Sequence, residues 1–138
     1  RTGIVLTPKG GALGRMITPF RLGLGGKIAS GKQWMSWISL EDEIQAILHV
    51  LRDDSVSGPV NLTAPAPVTN LEFTKALGKA VHRPTILPTP LAPLKLALGP
   101  ELITALLVNG QRVVPAALEA SGYRCRQPDI ASAFAAIL

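Results

Sequence analysis

The sequence predicts an α/β fold with a helical appendix at its C-terminal end, on three observations. Short β-branched runs alternate with capped amphipathic segments over residues 1–87. Pro88, Pro90 and Pro93 then break the chain. Residues 88–138 are leucine- and alanine-rich and read as helix, with no strand pattern. By length, 138 residues make one domain, and 47% hydrophobic against 17% charged residues suffice for a core.

Gly3-Ile4-Val5-Leu6-Thr7 is a β-branched run closed by Pro8, hence a strand. Lys9-Gly10-Gly11 is a turn, and residues 12–20 are predicted helical within the limit set by Pro19. Gly23, Gly25, Gly26 and Gly31 make a flexible loop, and residues 34–38 read as one strand. Ser39 is placed to cap the next helix, with Glu41 and Asp42 in its first turn, where the helix dipole favours acids. Ile44, Ile47, Leu48 and Leu51 recur at i, i+3, i+4 and i+7 and are predicted to be its buried stripe.

Pro59-Val60-Asn61-Leu62-Thr63 reads as a further short strand. Thr69 and Glu72 then form a capping box, and Val68 and Phe73 are spaced as its hydrophobic staple. Phe73, Ala76, Leu77, Ala80 and Val81 follow as a buried helical face, ended at Arg83-Pro84. In the appendix, Gly99-Pro100-Glu101 opens a helix closed by Asn109-Gly110. Pro115 opens a second, ended by Gly122, and Pro128-Asp129 opens a third with Ile130, Phe134 and Ile137 on one face.

Fourteen Lys and Arg against nine Asp and Glu give a net charge of +5. The basic residues are scattered singly and never interleave with aromatics in a run, so no nucleic-acid partner is expected. The lone Cys125 permits no internal disulfide and favours a reducing compartment, so a cytoplasmic location is expected. No apolar run reaches the ~20 residues of a membrane span, so no membrane partner is expected. The opening on Arg1, followed at once by a strand, reads as a segment of something longer.

Gly26-Lys27-Ile28-Ala29-Ser30-Gly31-Lys32-Gln33 nearly matches a phosphate-binding P-loop. It fails because Gln33 stands where a hydroxyl must ligate Mg²⁺, and because a strand rather than a helix is predicted to follow. Gly23-Leu24-Gly25-Gly26-Lys27-Ile28 fails as a dinucleotide fingerprint, since Ile28 occupies the third glycine position. His49 and His82 lack Cys, His or acid neighbours at metal-ligand spacing, so no metal site is expected. No serine sits in a nucleophile elbow. Glu41, Asp42 and Glu43 are read as acids that stabilise a helix start. Asn109-Gly110-Gln111-Arg112 reads first as a helix cap with a surface arginine.

Both tryptophans lie in Gly31-Lys32-Gln33-Trp34-Met35-Ser36-Trp37-Ile38-Ser39-Leu40-Glu41-Asp42. On one strand, Trp34 and Trp37 would face opposite sides, one into the core and one toward a groove. With Arg1-Thr2-Gly3-Ile4-Val5-Leu6, Gly10-Gly11-Ala12-Leu13, Pro19-Phe20-Arg21, Pro59-Val60-Asn61-Leu62-Thr63-Ala64-Pro65, Arg83-Pro84 and Gly110-Gln111-Arg112-Val113, this stretch resembles the C-terminal half of the epimerase-like extended short-chain dehydrogenase/reductases. More narrowly it resembles the branch labelled nucleoside-diphosphate-sugar epimerase, with a C-terminal domain of unknown function. The resemblance covers essentially the whole chain. One departure is Ser39, where the family usually has histidine.

The resemblance implies that residues 1–87 are the last part of a Rossmann-like parallel sheet and that residues 88–138 are the appendix. It implies hydride chemistry through NAD or NADP in a parent protein, on a nucleotide-sugar-like small molecule. The family's glycine-rich turn and Tyr-x-x-x-Lys pair lie upstream, in a preceding Rossmann half. The only tyrosine here is Tyr123, with Gln127 four residues on, so no catalytic residue is carried over. This chain alone is expected to be inactive and to bind no dinucleotide tightly. Lys32, Gln33, Trp34, Ser36, Trp37 and Arg112 are the expected substrate-side residues. The competing reading is a non-catalytic ligand-binding or protein-interaction module.

Overall fold

The structure is a computed structural model that describes residues 1–89, 95–96, 99–101 and 110–138. The predicted helix between Gly99 and Asn109 and the breaks at Pro90 and Pro93 fall largely outside these residues. Strand β1 (Ile4–Leu6) runs into helix α1 (Gly11–Arg21), and β2 (Trp34–Met35) and β3 (Trp37–Ser39) lead into α2 (Leu40–Arg52). Then come β4 (Val68–Thr69), α3 (Asn70–Ala80), α4 (Ala116–Ala120) and α5 (Ile130–Ile137). The α/β reading holds: β1 and β3 pair in parallel, Ile4 opposite Trp37, with α1 in the connection between them. A second, antiparallel pair sets Trp34 opposite Thr69 and Met35 opposite Val68.

Helix α1 presents Leu13, Met16, Ile17 and Phe20 inward, at i, i+3, i+4 and i+7. Pro19 removes one backbone donor in the last turn, and the helix ends two residues later at Arg21. The capping box at Thr69 and Glu72 forms as predicted, with Phe73 and Leu77 buried and Ala76, Ala80 and Val81 half-buried behind it. A second capping box, Asp129 with Ser132, opens α5. One core joins Leu6, Leu13, Phe20, Trp37, Phe73 and Leu77 to Ile130, Ala133 and Phe134 of α5. Phe73 and Phe134 meet edge to face, their ring centroids 5.3 Å apart.

Three sequence expectations are corrected. Residues 34–38 are not one strand: Ser36 interrupts them, so β2 pairs with β4 while β3 pairs with β1. Residues 59–63 are not a strand but make a single parallel bridge, Thr2 to Leu62. The chain then changes partner, and the Ala64 amide donates to the Trp37 carbonyl at 2.6 Å. In α2 the predicted stripe is turned outward. Ile44, Ile47 and Leu51 are exposed, while Asp42, Glu43 and Ala46 are buried. The reason is that Asp42 and Glu43 have polar partners on the inner side, described below, and these override apolar periodicity.

The Glu72 carboxyl is held below its ordinary value of 4.5, first by the Thr69 amide and then by the Thr69 hydroxyl. A lowered folded-state value adds stability that is present above the unfolded value and lost as pH falls through the folded one. Replacing Glu72 with Ala should therefore cost stability at neutral pH, and the difference from wild type should shrink as pH drops below 4.5. Urea denaturation of both proteins between pH 7 and pH 3 measures this.

Candidate functional site

The loop of residues 22–33 is fixed to the start of α3 by Asn70, which is almost fully buried. Its Oδ1 accepts from the Ile28 amide at 2.8 Å, and its Nδ2 reaches the Met35 sulfur at 3.5 Å. The Asn70 amide donates to the Gln33 carbonyl and the Leu71 amide to the Gly31 carbonyl, both at 2.9 Å. At the loop's tip Ala29 has φ 51°, a left-handed conformation uncommon outside glycine, followed by Gly31 at φ 71°. Strain of this kind persists only where surrounding bonds over-determine it, as they do here. The P-loop-like run leads into β2 and not into a helix, and the helix start it does meet, that of α3, spends its Asn70 and Leu71 amides on the Gln33 and Gly31 carbonyls.

From this fixed loop the chain enters β2. Lys32 is exposed, its amide held by the Ser30 hydroxyl at 3.2 Å. Gln33 is half-buried and its Nε2 donates to the Ile28 carbonyl at 3.0 Å, so part of its amide is spent on the loop. Trp34 is half-buried, and the exposed Arg112 guanidinium lies over its ring, 5.4 Å from the centroid. Residues 110–113 form a strap across β2. A Cβ on Gly110 would stand 2.9 Å from both the Trp34 nitrogen and the Gln33 Cβ, so only glycine lets the strap lie flush.

Gln33, Trp34 and Arg112 thus lie together at the strap, with the exposed Lys32 next to Gln33 in the chain. Two other expected site residues serve the structure instead. Ser36 is a clasp: its Oγ donates to the Gln111 carbonyl at 2.8 Å and accepts from the Val113 amide at 2.9 Å. Its donor is committed to the strap. Trp37 is fully buried in the core, and its Nε1 donates to the Ala66 carbonyl at 3.1 Å, so it offers no face to a ligand. The expectation of opposed tryptophan faces on one strand is corrected: Trp34 is half-buried on β2 and Trp37 is buried on β3, in two different sheets.

The residue that sequence reasoning undervalued is Asp42. It is fully buried at the start of α2, where Ser39 caps the helix by accepting from the Asp42 amide at 3.1 Å. Its carboxylate accepts from the Tyr123 hydroxyl at 3.1 Å, the Arg126 amide at 2.8 Å and the Gln127 amide at 2.9 Å. The Ser39 hydroxyl adds a contact at 3.2 Å and also reaches Gln127 Oε1 at 2.7 Å. Outside, Arg126 pairs with Glu41. This latch fastens residues 123–127 to α2. Burial, and then the Asp42 carboxylate, push the Tyr123 phenol far up, so it stays protonated and donates. The Cys125 thiol is pushed up to about 11, first by burial and then by Asp42, so it is not a nucleophile at neutral pH.

A shallow groove of about 420 Å³ lies beside the latch, lined by Gln45, Leu48, His49, Arg52, Asp53 and Tyr123. It holds Ser, His and Asp but is no triad. One nitrogen, His49 Nε2, faces both Ser121 Oγ at 2.8 Å and Asp53 Oδ2 at 3.9 Å, and Ser121 Oγ donates to the Leu118 carbonyl at 2.7 Å. Among the described residues no group of three His, Cys, Asp or Glu is placed to hold a metal, and no helix is long and apolar enough to cross a membrane.

Comparison with known proteins gives a consistent result. Residues 89–137 match the family model described as "Domain of unknown function (DUF1731)". An "Epimerase family protein" of Mycobacterium bovis is 50% identical over 133 residues, which are 96% of this chain and 44% of that protein. The crystal structure of human epimerase family protein SDR39U1 (isoform2) with NADPH superposes with a TM-score of 0.89 at 39% identity, covering 99% of this chain and 46% of that one. The nucleoside-diphosphate sugar epimerase from Corynebacterium glutamicum superposes with a TM-score of 0.73 at 34% identity, covering 100% of this chain and 25% of that one. The chain spans less than half the length of these relatives.

Replacing Asp42 with Ala strands three donors and should cost at least about 3 kcal/mol, since hydrogen bonds to a charged acceptor are among the stronger ones. The Arg126 and Gln127 amides should exchange hydrogen faster. Urea denaturation followed by amide exchange checks both.

Proposed function

We propose that this chain, which corresponds in sequence and fold to the C-terminal part of an epimerase-like extended short-chain dehydrogenase/reductase, forms the substrate side of a nicotinamide-dependent epimerase or reductase. The substrate class is a nucleoside-diphosphate sugar or a close analogue. The observation that carries the reading is the Arg112 guanidinium laid over Trp34 beside Lys32 and Gln33. A tryptophan face receives a base or sugar ring, and a fork of N–H donors with a nearby ammonium suits a diphosphate. Gln33 is bonded to the loop and Arg112 rests on Trp34 before any ligand arrives, which limits the entropy lost on binding.

The nicotinamide would supply hydride transfer, but the residues present do not form its site. The chain has no complete dinucleotide fingerprint and no Tyr-x-x-x-Lys pair, and Tyr123 is engaged with Asp42. Cofactor and catalytic groups are therefore assigned to a preceding half of the fold, a reading supported by the NADPH present in the crystal structure of the human relative. The role of this chain is to bind and orient.

The test is calorimetry with UDP and a UDP-sugar on a polypeptide that contains both halves. Arg112→Ala should weaken binding by about 1–3 kcal/mol, and Arg112→Lys by less, because charge survives while the fork is lost. NADPH affinity and melting temperature should stay unchanged. Gln33→Ala should act in the same direction but less cleanly, since it also frees the Ile28 carbonyl. A lower melting temperature with unchanged ligand affinity would retire the site.

A further inference from the structure

We propose that Arg112 is a gate on the Trp34 ring: its guanidinium covers the indole in the empty protein, an anionic group on the ligand draws it away, and the uncovered face then receives the ligand's ring. The gate makes a phosphate a condition of entry. It therefore discriminates phosphorylated ligands from neutral ones that carry the same ring. The inference rests on the proposed substrate-side role of Trp34 and Arg112, and it says how that site selects.

The guanidinium carbon of Arg112 lies 5.4 Å from the Trp34 ring centroid. A planar ring stacked offset on an indole puts its own centroid about 4.5–7 Å away, which is the same shell of space. Guanidinium and ligand ring therefore compete for this face. Trp34 is already half-buried, which leaves less of the indole open elsewhere.

Arg112 is free to leave. The ion pairs among the described residues are His49 with Asp53 and Arg126 with Glu41, so no described carboxylate holds Arg112. Its side chain is exposed, and its contact among the described residues is the Trp34 ring. An exposed cation–π contact is weak. A phosphate accepts two parallel N–H bonds from the guanidinium fork, and such charge-assisted pairs are among the stronger ones. A phosphate thus takes the guanidinium from the indole, whereas a neutral ring offers no such acceptor and must displace the cation unaided. Lys32, exposed two residues before Trp34, adds to the positive charge that draws an anion in.

The backbone confines the motion to the side chain. Ser36 Oγ donates to the Gln111 carbonyl at 2.8 Å and accepts from the Val113 amide at 2.9 Å, so one hydroxyl pins both neighbours of residue 112. Gly110 lies against the Trp34 backbone, where a Cβ would stand 2.9 Å from its nitrogen. The strap stays while the guanidinium swings, and rotamer changes of exposed side chains are fast.

A gate has a distinctive sign. Removing the guanidinium should help a neutral ring and harm a phosphorylated one. A residue that only binds phosphate would leave the neutral ring unaffected, and one that stacks on the outer side of a bound ring would weaken both ligands when lost.

The test is calorimetry with uridine, UDP and pyrophosphate on the polypeptide that contains both halves, as wild type and as Arg112→Ala. The NMR signal of the Trp34 indole N–H, identified by its loss in Trp34→Phe, is followed alongside. Arg112→Ala should bind uridine about two- to fivefold more tightly, the strength of an exposed cation–π contact. It should bind UDP about tenfold more weakly. In wild type, saturating pyrophosphate should tighten uridine binding by about the same two- to fivefold, and uridine should tighten pyrophosphate equally, by linkage. In the variant the two should bind independently. Pyrophosphate should also move the wild-type indole signal toward its position in Arg112→Ala. The wild-type coupling needs no substitution, and so decides the matter should the variant be unstable.

Uridine affinity that is unchanged or lower in Arg112→Ala, while UDP binds wild type, overturns the gate and leaves the substrate site standing. An indole signal that pyrophosphate moves, with UDP bound no more tightly than pyrophosphate and uridine not at all, keeps the gate and removes the nucleotide reading. Neither a shift nor binding overturns both.

Discussion

The carboxylate of Asp42 is the interaction on which the arrangement of the C-terminal segment depends. A fully buried acid is tolerated only when its lone pairs are filled, and here two backbone amides and a phenol fill them. All three donors come from residues 123–127, more than eighty positions away. The acid thus holds the segment that leads into α5, whose Phe134 completes the core against Phe73. Its cost is met by position as well as by partners, since the first turn of a helix favours a negative charge.

The same constraint reaches the candidate site through the chain. Residues 110–138 are anchored at the strap by Ser36, at the latch by Asp42, and at the core by Phe134. Arg112 sits in the first of these anchored stretches. A long cationic side chain on a free loop would lose much rotamer freedom when it met a ligand. Laid on Trp34 and held by a strap with two bonds to one hydroxyl, it loses less.

What the sequence disclosed and what it hid divide by range. The capping box at Thr69, the cap at Ser39, the helix before Arg21, the α3 face and the alternation of short strands with helices are local patterns, and all appear. The break at Ser36, the latch at Asp42 and the hold of Asn70 on the loop depend on partners 42 to 88 residues away, and no local pattern encodes these. The α2 stripe shows the limit most clearly. Periodicity located an amphipathic helix correctly and then assigned its apolar face to the inside, although two consecutive acids were the residues with buried partners. Trp34 and Trp37 are chemically identical in the sequence. Only the Ser36 interruption, which sends their strands into different sheets, makes one a core residue and the other a surface.

That inversion in α2 follows from a conflict between two scales of burial. A helix packed only against β1 and β3 would turn isoleucine inward and leave its acids in water, as the periodicity implies. Here the inner side must also receive the 123–127 segment and Thr2, both of which bring donors. Satisfying those donors with Asp42 and Glu43 leaves the aliphatic residues on the remaining face. The helix therefore reads as amphipathic while the face it buries is the polar one: Asp42 and Glu43 meet their donors inside, and Leu40, Ile44, Ile47 and Leu51 stay exposed.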